Sequence, residues 1–181
     1  MKRASCHHSS QALENKKWEE WPMSRALRIA VVSTVCILAG CSGITTDVRS
    51  EAPPGYQADA ASKTASVDWS KVQTVSLGMD EYDYKPSSLS LDAGKPYRLH
   101  IENSGGKSHT FSSEPFFKSI AVRRLKTQEG TVEAPFIQEL VVAPGQAADL
   151  EFVALTPGDY PLVCNEPLHE IFGMEGTLHV R

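Results

Sequence analysis

The sequence predicts an all-β fold, an antiparallel sandwich or barrel, over residues 70–181. Two observations carry that expectation. Short segments with apolar side chains at alternate positions recur along this stretch, and turns rich in Gly, Pro, Asn and Asp separate them. No internal repeat or low-complexity array interrupts the pattern.

Taken in order, residues 72–79 alternate loosely through Val72, Val75 and Leu77. Leu89-Ser90-Leu91 follows and runs into the turn Asp92-Ala93-Gly94-Lys95. Residues 97–101 alternate cleanly, with Tyr97, Leu99 and Ile101 on one face, before the turn Asn103-Ser104-Gly105-Gly106. A short helix is expected over residues 114–120, with Phe116 and Phe117 inward. Strand patterns resume at Leu140-Val141-Val142 and, after Pro144-Gly145, at Leu150-Glu151-Phe152-Val153. Pro157-Gly158 then leads into Tyr160-Pro161-Leu162-Val163-Cys164, and residues 176–180 form the last strand.

The chain upstream of this domain has a different composition. Arg25 and Arg28 precede an apolar run at residues 29–38, about ten residues long, which suits a signal-peptide core and is too short to span a bilayer. Leu38-Ala39-Gly40-Cys41 looks like a bacterial lipobox, so Cys41 is expected to be lipidated and to begin the mature chain after a signal at residues 23–40. Several acyl chains on one residue make a stable anchor. By the same resemblance, Ser42 in place of Asp leans toward the outer membrane. Residues 1–22, with Glu14, Lys16, Lys17, Trp18, Glu19, Glu20 and Trp21, do not read as a signal; they are expected to be an upstream extension, with translation starting at Met23. His7 and His8 are adjacent and carry no assigned role. Residues 41–69 are rich in Ala, Ser, Thr, Asp and Pro and poor in large apolar groups, which predicts a flexible tether.

The 181 residues carry a formal net charge of -4, which argues against a nucleic-acid partner. Asp80, Glu81 and Asp83 read as a solvated acidic surface. Of the four cysteines, Cys6, Cys36 and Cys41 precede the domain, leaving Cys164 without a disulfide partner inside it.

The neighbours of Cys164 suggest a use for it. Cys164, His169 and Met174 lie five residues apart on one loop between two strands, and His109 begins a strand after the 103–107 turn. A thiolate, two imidazoles and a thioether are the donor set of a blue-copper electron-transfer centre. His100 and His179 alternate along strands and read as surface residues.

Residues 72–181 resemble the cupredoxin (blue copper) family. The run from Gly158-Asp159-Tyr160 through Cys164 and His169 to Gly173-Met174-Glu175-Gly176-Thr177-Leu178 is similar to the family's terminal motif, with auracyanin- and rusticyanin-like ligand spacing. Lys85-Pro86, Ala93-Gly94-Lys95 and Asn103 to His109-Thr110-Phe111 also resemble it. The resemblance implies a Greek-key sandwich holding one type 1 copper ion. It implies His109, Cys164 and His169 as strong ligands and Met174 as the weak axial one. It places the amide of Thr110 on the thiolate and makes His169 the solvent-exposed electron exit, with Leu168 and Phe172 either in a docking patch or buried as loop packing. Leu168 stands where such relatives often carry Gly, which predicts a different loop path. Glu166, Glu170 and Glu175 either steer a positively charged partner or simply keep the loop soluble.

A site with four protein ligands offers no open position to a substrate, and the sequence shows no catalytic base or phosphate loop. The expectation is therefore a one-electron carrier and not an enzyme, lipid-anchored in the cell envelope, facing the periplasm or exterior, and exchanging electrons with redox partner proteins. The alternatives are a protein that captures, stores or delivers copper, and a metal-free adhesion-type sandwich.

Overall fold

The computed structural model describes residues 45–46, 51–133 and 135–181. The signal segment, the lipobox with Cys41, the residue 1–22 extension and His7 and His8 lie outside the described residues. Among those that are described, no helix is long and apolar enough to cross a membrane.

Among the described residues, twelve strands make two sheets. They are β1 (Thr45–Thr46), β2 (Gln73–Asp80), β3 (Asp83–Lys85), β4 (Ser88–Leu91), β5 (Pro96–Asn103) and β6 (His109–Ser112). After these come β7 (Ile120–Lys126), β8 (Thr131–Glu133), β9 (Glu139–Val142), β10 (Ala147–Ala154), β11 (Gly158–Val163) and β12 (Glu175–Val180). Two helices, α1 (Ala60–Ala65) and α2 (Glu114–Ser119), and a 3-10 turn at Trp69–Lys71 are the other regular elements among the described residues. One sheet has the order β1-β9-β6-β11-β12-β4 and the other β3-β2-β5-β10-β7-β8.

The all-β expectation holds, with a qualification on strand direction. Most pairs are antiparallel, but β2 runs parallel to β5 and β4 runs parallel to β12. Neither parallel pair is joined by a hairpin: each is closed by long crossover chain, which local alternation does not reveal.

The core lies between the sheets. On β5 the alternation places Tyr97, Leu99, Ile101 and Asn103 inward, and on β2 Leu77 and Met79. Helix α2 inserts Phe116 and Phe117 among Phe111, Phe152 and Tyr160, with edge-on ring contacts at 5.5–5.9 Å. Each such ring contributes roughly 1.5–3 kcal/mol by leaving water.

Two expectations need correction. Strand β7 was not anticipated, because its pattern is broken. Ile120, Ala121, Val122 and Leu125 are buried, while the register against β10 shifts between Glu151 and Phe152. A bulge of this kind interrupts the period of two that marks a strand. The tether expected through residue 69 also ends earlier, since the chain packs onto the domain from Tyr56 onward. The Tyr56 hydroxyl donates to the Ile137 carbonyl (3.0 Å), Gln57 donates to Lys118 (3.0 Å), and α1 buries Ala60 and Thr64 against β7. The Trp69 ring lies 4.5 Å from the Arg123 guanidinium. A few well-placed contacts hold a segment whose overall composition is polar.

Candidate metal centre

Three of the four predicted donors converge at one end of the sandwich. One ring nitrogen of His109, Cys164 Sγ and one ring nitrogen of His169 all lie within 4.8 Å of one another. His109 Nδ1 is 3.2 Å from His169 Nδ1, which is 3.4 Å from Cys164 Sγ. His109 is fully buried, and Cys164 and His169 nearly so.

The sheet explains this convergence. β6 pairs with β9 from His109 to Ser112, while its ladder to β11 consists of the single pair Val163 and Ser112. Beyond that pair, side chains take over the ladder. The Thr110 amide donates to Cys164 Sγ (3.3 Å), as expected, and the Asn165 amide donates to Thr110 Oγ1 (2.7 Å). Asn165 also donates to Ser112 Oγ (2.9 Å). Tyr84 donates its hydroxyl to the Thr110 carbonyl. Burial, then the neighbouring charges of Cys164 and Glu139, push the Tyr84 phenol far above its ordinary value, so it remains a donor.

Backbone bonds close the loop that carries Cys164, His169 and Met174. The Cys164 amide donates to Met174 (3.3 Å) at the neck, and the Met174 amide donates to His169 (3.1 Å). Phe172 and Gly173 donate back to His169 and Glu170, forming a tight turn. Gly173 has a φ of 93°, a backbone region that glycine reaches readily. Met174 is fully buried and its main chain is fixed against both Cys164 and His169.

Position 168 departs from the expected pattern, and the departure is absorbed locally. Leu168 has a φ of 71°, in the left-handed region. For a side chain with a Cβ this costs roughly 1–2 kcal/mol. Leu168 is 60% exposed, so it recovers little of that by burial. Leu168→Gly is therefore expected to raise unfolding free energy by about 0.5–1 kcal/mol, the relief of strain exceeding the added chain entropy. Urea unfolding of the two proteins checks this.

His169 is not the exposed edge that the resemblance implies: only 6% of it reaches solvent. Tyr82 meets its ring edge-on at 4.8 Å and lies 4.8 Å from Phe172. The outward surface is Leu168, Ile171 (79% exposed) and Phe172, so Leu168 and Phe172 are exposed and not buried in the loop. Glu170 and Glu175 are exposed beside them and Glu166 is half-buried.

The acidic run before β3 divides. Asp80 pairs with Lys85 (3.0 Å) and faces solvent, whereas Glu81 turns inward. Its Oε1 accepts from the Gly106 amide (2.8 Å) and lies 3.8 Å from His109 Nε2. Neither Glu81 nor Tyr82 was identified from the sequence; only the placement of the β2–β3 turn over the donors reveals them. Burial, then the proximity of His169, hold the His109 imidazole below its ordinary pKa, while Glu81 and Asp80 oppose the shift. A neutral imidazole keeps a ring nitrogen lone pair for a metal.

Asn103 anchors the approach to His109. Fully buried, it donates to the carbonyls of Lys107 (2.8 Å) and Val142 (2.7 Å) and accepts from the Gly105 amide (2.9 Å). His100 pairs with Asp149 (2.7 Å) and His179 with Asp159 (2.6 Å), away from the donor cluster.

The donor chemistry fits copper. One sulfur and two imidazole nitrogens face one another, no carboxylate oxygen is among them, and a thioether residue is fixed on the same loop. Residues 58–180 match the sequence model of the cupredoxin-like domain family. Among solved structures the chain is similar to auracyanin B, at 22% identity over 64% of this chain and 93% of that one, with a TM-score of 0.43. It is similar to dithionite-reduced auracyanin from Roseiflexus castenholzii, at 17% identity over 60% and 96%, with a TM-score of 0.44. It is also similar to copper nitrite reductase from Nitrosomonas europaea, at 14% identity over 60% of this chain and 49% of that one, with a TM-score of 0.49. No curated protein matches the chain.

Proposed function

The chain belongs to the cupredoxin-like family, and from that premise we propose that it is a type 1 copper protein carrying single electrons between redox partners outside the cytoplasm. The observation that supports this most is the meeting of two imidazole nitrogens and one thiol within 4.8 Å, with a backbone amide donating to the sulfur. His109, Cys164 and His169 are the strong ligands and Met174 the weak one. Copper, when bound, supplies the one-electron couple.

The protein's own contribution is rigidity and shielding. The Cys164–Met174 neck, the Asn103 anchor and the Thr110 amide fix the donors before any metal arrives, so a change of oxidation state requires little rearrangement. Tyr82 and Phe172 keep water from His169. The apolar face of Leu168, Ile171 and Phe172, flanked by Glu166, Glu170 and Glu175, suits a partner with an apolar centre and a basic rim. The lipobox-like sequence ending at Cys41 supports a membrane tether on the exterior side.

The test is the absorption spectrum of the copper-loaded, oxidised protein, followed by reduction and reoxidation. An intense visible band that bleaches and returns is the expected result. A colourless cupric complex that surrenders its metal readily to a chelator would favour copper handling instead. Loading should also stabilise the fold, by about 2.7 kcal/mol when free copper is 100 times the dissociation constant. Thermal unfolding with and without metal measures that gain.

A further inference from the structure

His109 Nε2 is buried and has no hydrogen-bond partner, while the nearest carboxylate oxygen to it, Glu81 Oε1, lies at 3.8 Å. That separation is too long for a hydrogen bond and short enough for a small rotation of the side chain, or one water, to complete it. We propose that Glu81 is the outer-shell acceptor for His109: it holds the proton on Nε2, fixes the tautomer that leaves the Nδ1 lone pair on the side of His169 Nδ1, and biases the centre toward oxidised copper. This rests on the copper reading above for its last clause only.

The surroundings of Glu81 are built to keep it there. Its Oε1 accepts from the Gly106 amide at 2.8 Å. A Cβ on Gly105 would lie 2.7 Å from Glu81 Oε2, so the absence of a side chain at that position makes room for the carboxylate. Lys85, the nearby cation, is engaged by Asp80. The adjacent residue of the same turn, Tyr82, covers the other imidazole. Two consecutive side chains of the β2–β3 turn thus address the two histidines, Glu81 through charge and Tyr82 through its ring. Metal-binding histidines generally donate their second ring N–H to a carboxylate or carbonyl, which orients the ring and raises its basicity. A fixed negative charge close to the centre stabilises the cupric form over the cuprous one.

The rival explanation is that Glu81 only pins the 103–107 turn through Gly106. Two variants separate charge from pinning. Glu81→Gln keeps the shape and the acceptor for Gly106 but removes the charge. Glu81→Asp keeps the charge on a shorter arm and weakens the clip. In the full chain, Glu81→Gln is expected to shift the Cu(I)/Cu(II) balance about tenfold toward Cu(I), which is ~59 mV upward for a one-electron couple. Glu81→Asp is expected to shift it less than half as far on that scale. In the metal-free protein, nitrogen-15 spectra of the histidine rings should show His109 protonated on Nε2. Hydrogen exchange at that position should be about tenfold faster in Glu81→Gln. Equal potentials and equal ring signals in wild type and Glu81→Gln would overturn the proposal, as would a shift in Glu81→Asp as large as in Glu81→Gln. If the wild-type protein shows no intense visible band, the copper reading fails, yet the ring measurement still decides the role of Glu81.

Discussion

Replacing Cys164 by Ser is expected to abolish the intense visible absorption of the copper-loaded protein and its reversible redox cycling while leaving the sandwich folded. The band requires charge to move between a thiolate and the cupric ion, and a serine hydroxyl stays protonated near neutral pH and binds copper poorly. Copper affinity should fall by more than the roughly 10–100-fold that accompanies loss of an outer-shell partner, because a primary donor is removed. The fold has little reason to fail. Cys164 is 1% exposed, Ser is smaller, and the Thr110 amide that donates to Sγ can donate to Oγ instead. A destabilisation of about 1–2 kcal/mol covers the burial of a more polar group in an imperfectly matched pocket. Spectra of the loaded variant, with circular dichroism and a urea curve on the metal-free form, separate the two effects. An intense band surviving in Cys164→Ser would remove the thiolate from the centre and the electron-carrier reading with it.

The meeting of His109, Cys164 and His169 was legible in the sequence because chemistry limits what a thiol, an imidazole and a thioether spaced along one loop can do together. Cys164 and His169 needed only the loop, and His109 needed only a strand start. Residues that act across the fold were not legible. Glu81 and Tyr82 look like any polar turn until β2 and β3 bring them over the histidines. His169 is buried with Tyr82, 87 positions away, against its ring, which contradicts an expectation drawn from its own loop alone. Clean alternation at Tyr97, Leu99 and Ile101 identified β5, whereas β7 stayed hidden behind a bulge. Parallel pairing of β2 with β5 left no local trace, since a strand's direction depends on the connection and not on its side-chain period.

The same bulge supports the second large effect. The shift between Glu151 and Phe152 sets both Arg123 and Arg124 of β7 against a single residue of β10, with Arg98 of β5 on the other side. Three guanidinium groups therefore converge on one buried carboxylate, at 2.9 Å from Arg98, 2.8 Å from Arg123 and 2.8 Å from Arg124. Burial alone would raise the Glu151 carboxyl. Hydrogen bonds from Arg124 and Arg98 and the charges of Arg124 and Arg123 outweigh it and hold the carboxyl below its ordinary range. Glu151→Gln leaves the cations facing one another with no counter-charge. Losing one partner of a buried pair costs roughly 3–5 kcal/mol, reduced here because each arginine side chain keeps about a third of its exposure, so about 2–4 kcal/mol is expected. The pH dependence follows from the sign of the shift. A carboxyl whose folded pKa lies below its unfolded value contributes its full stability above the unfolded value, near 4.3, and loses that contribution as pH falls through the folded one. The gap between wild type and Glu151→Gln should therefore be flat near neutrality and close in acid. Urea midpoints from pH 7 to about pH 3 measure this, with the visible band of the copper-loaded variant unchanged because Glu151 lies outside the donor cluster. A gap that persists undiminished in acid would mean that the carboxylate's charge is not what holds β5, β10 and β7 together.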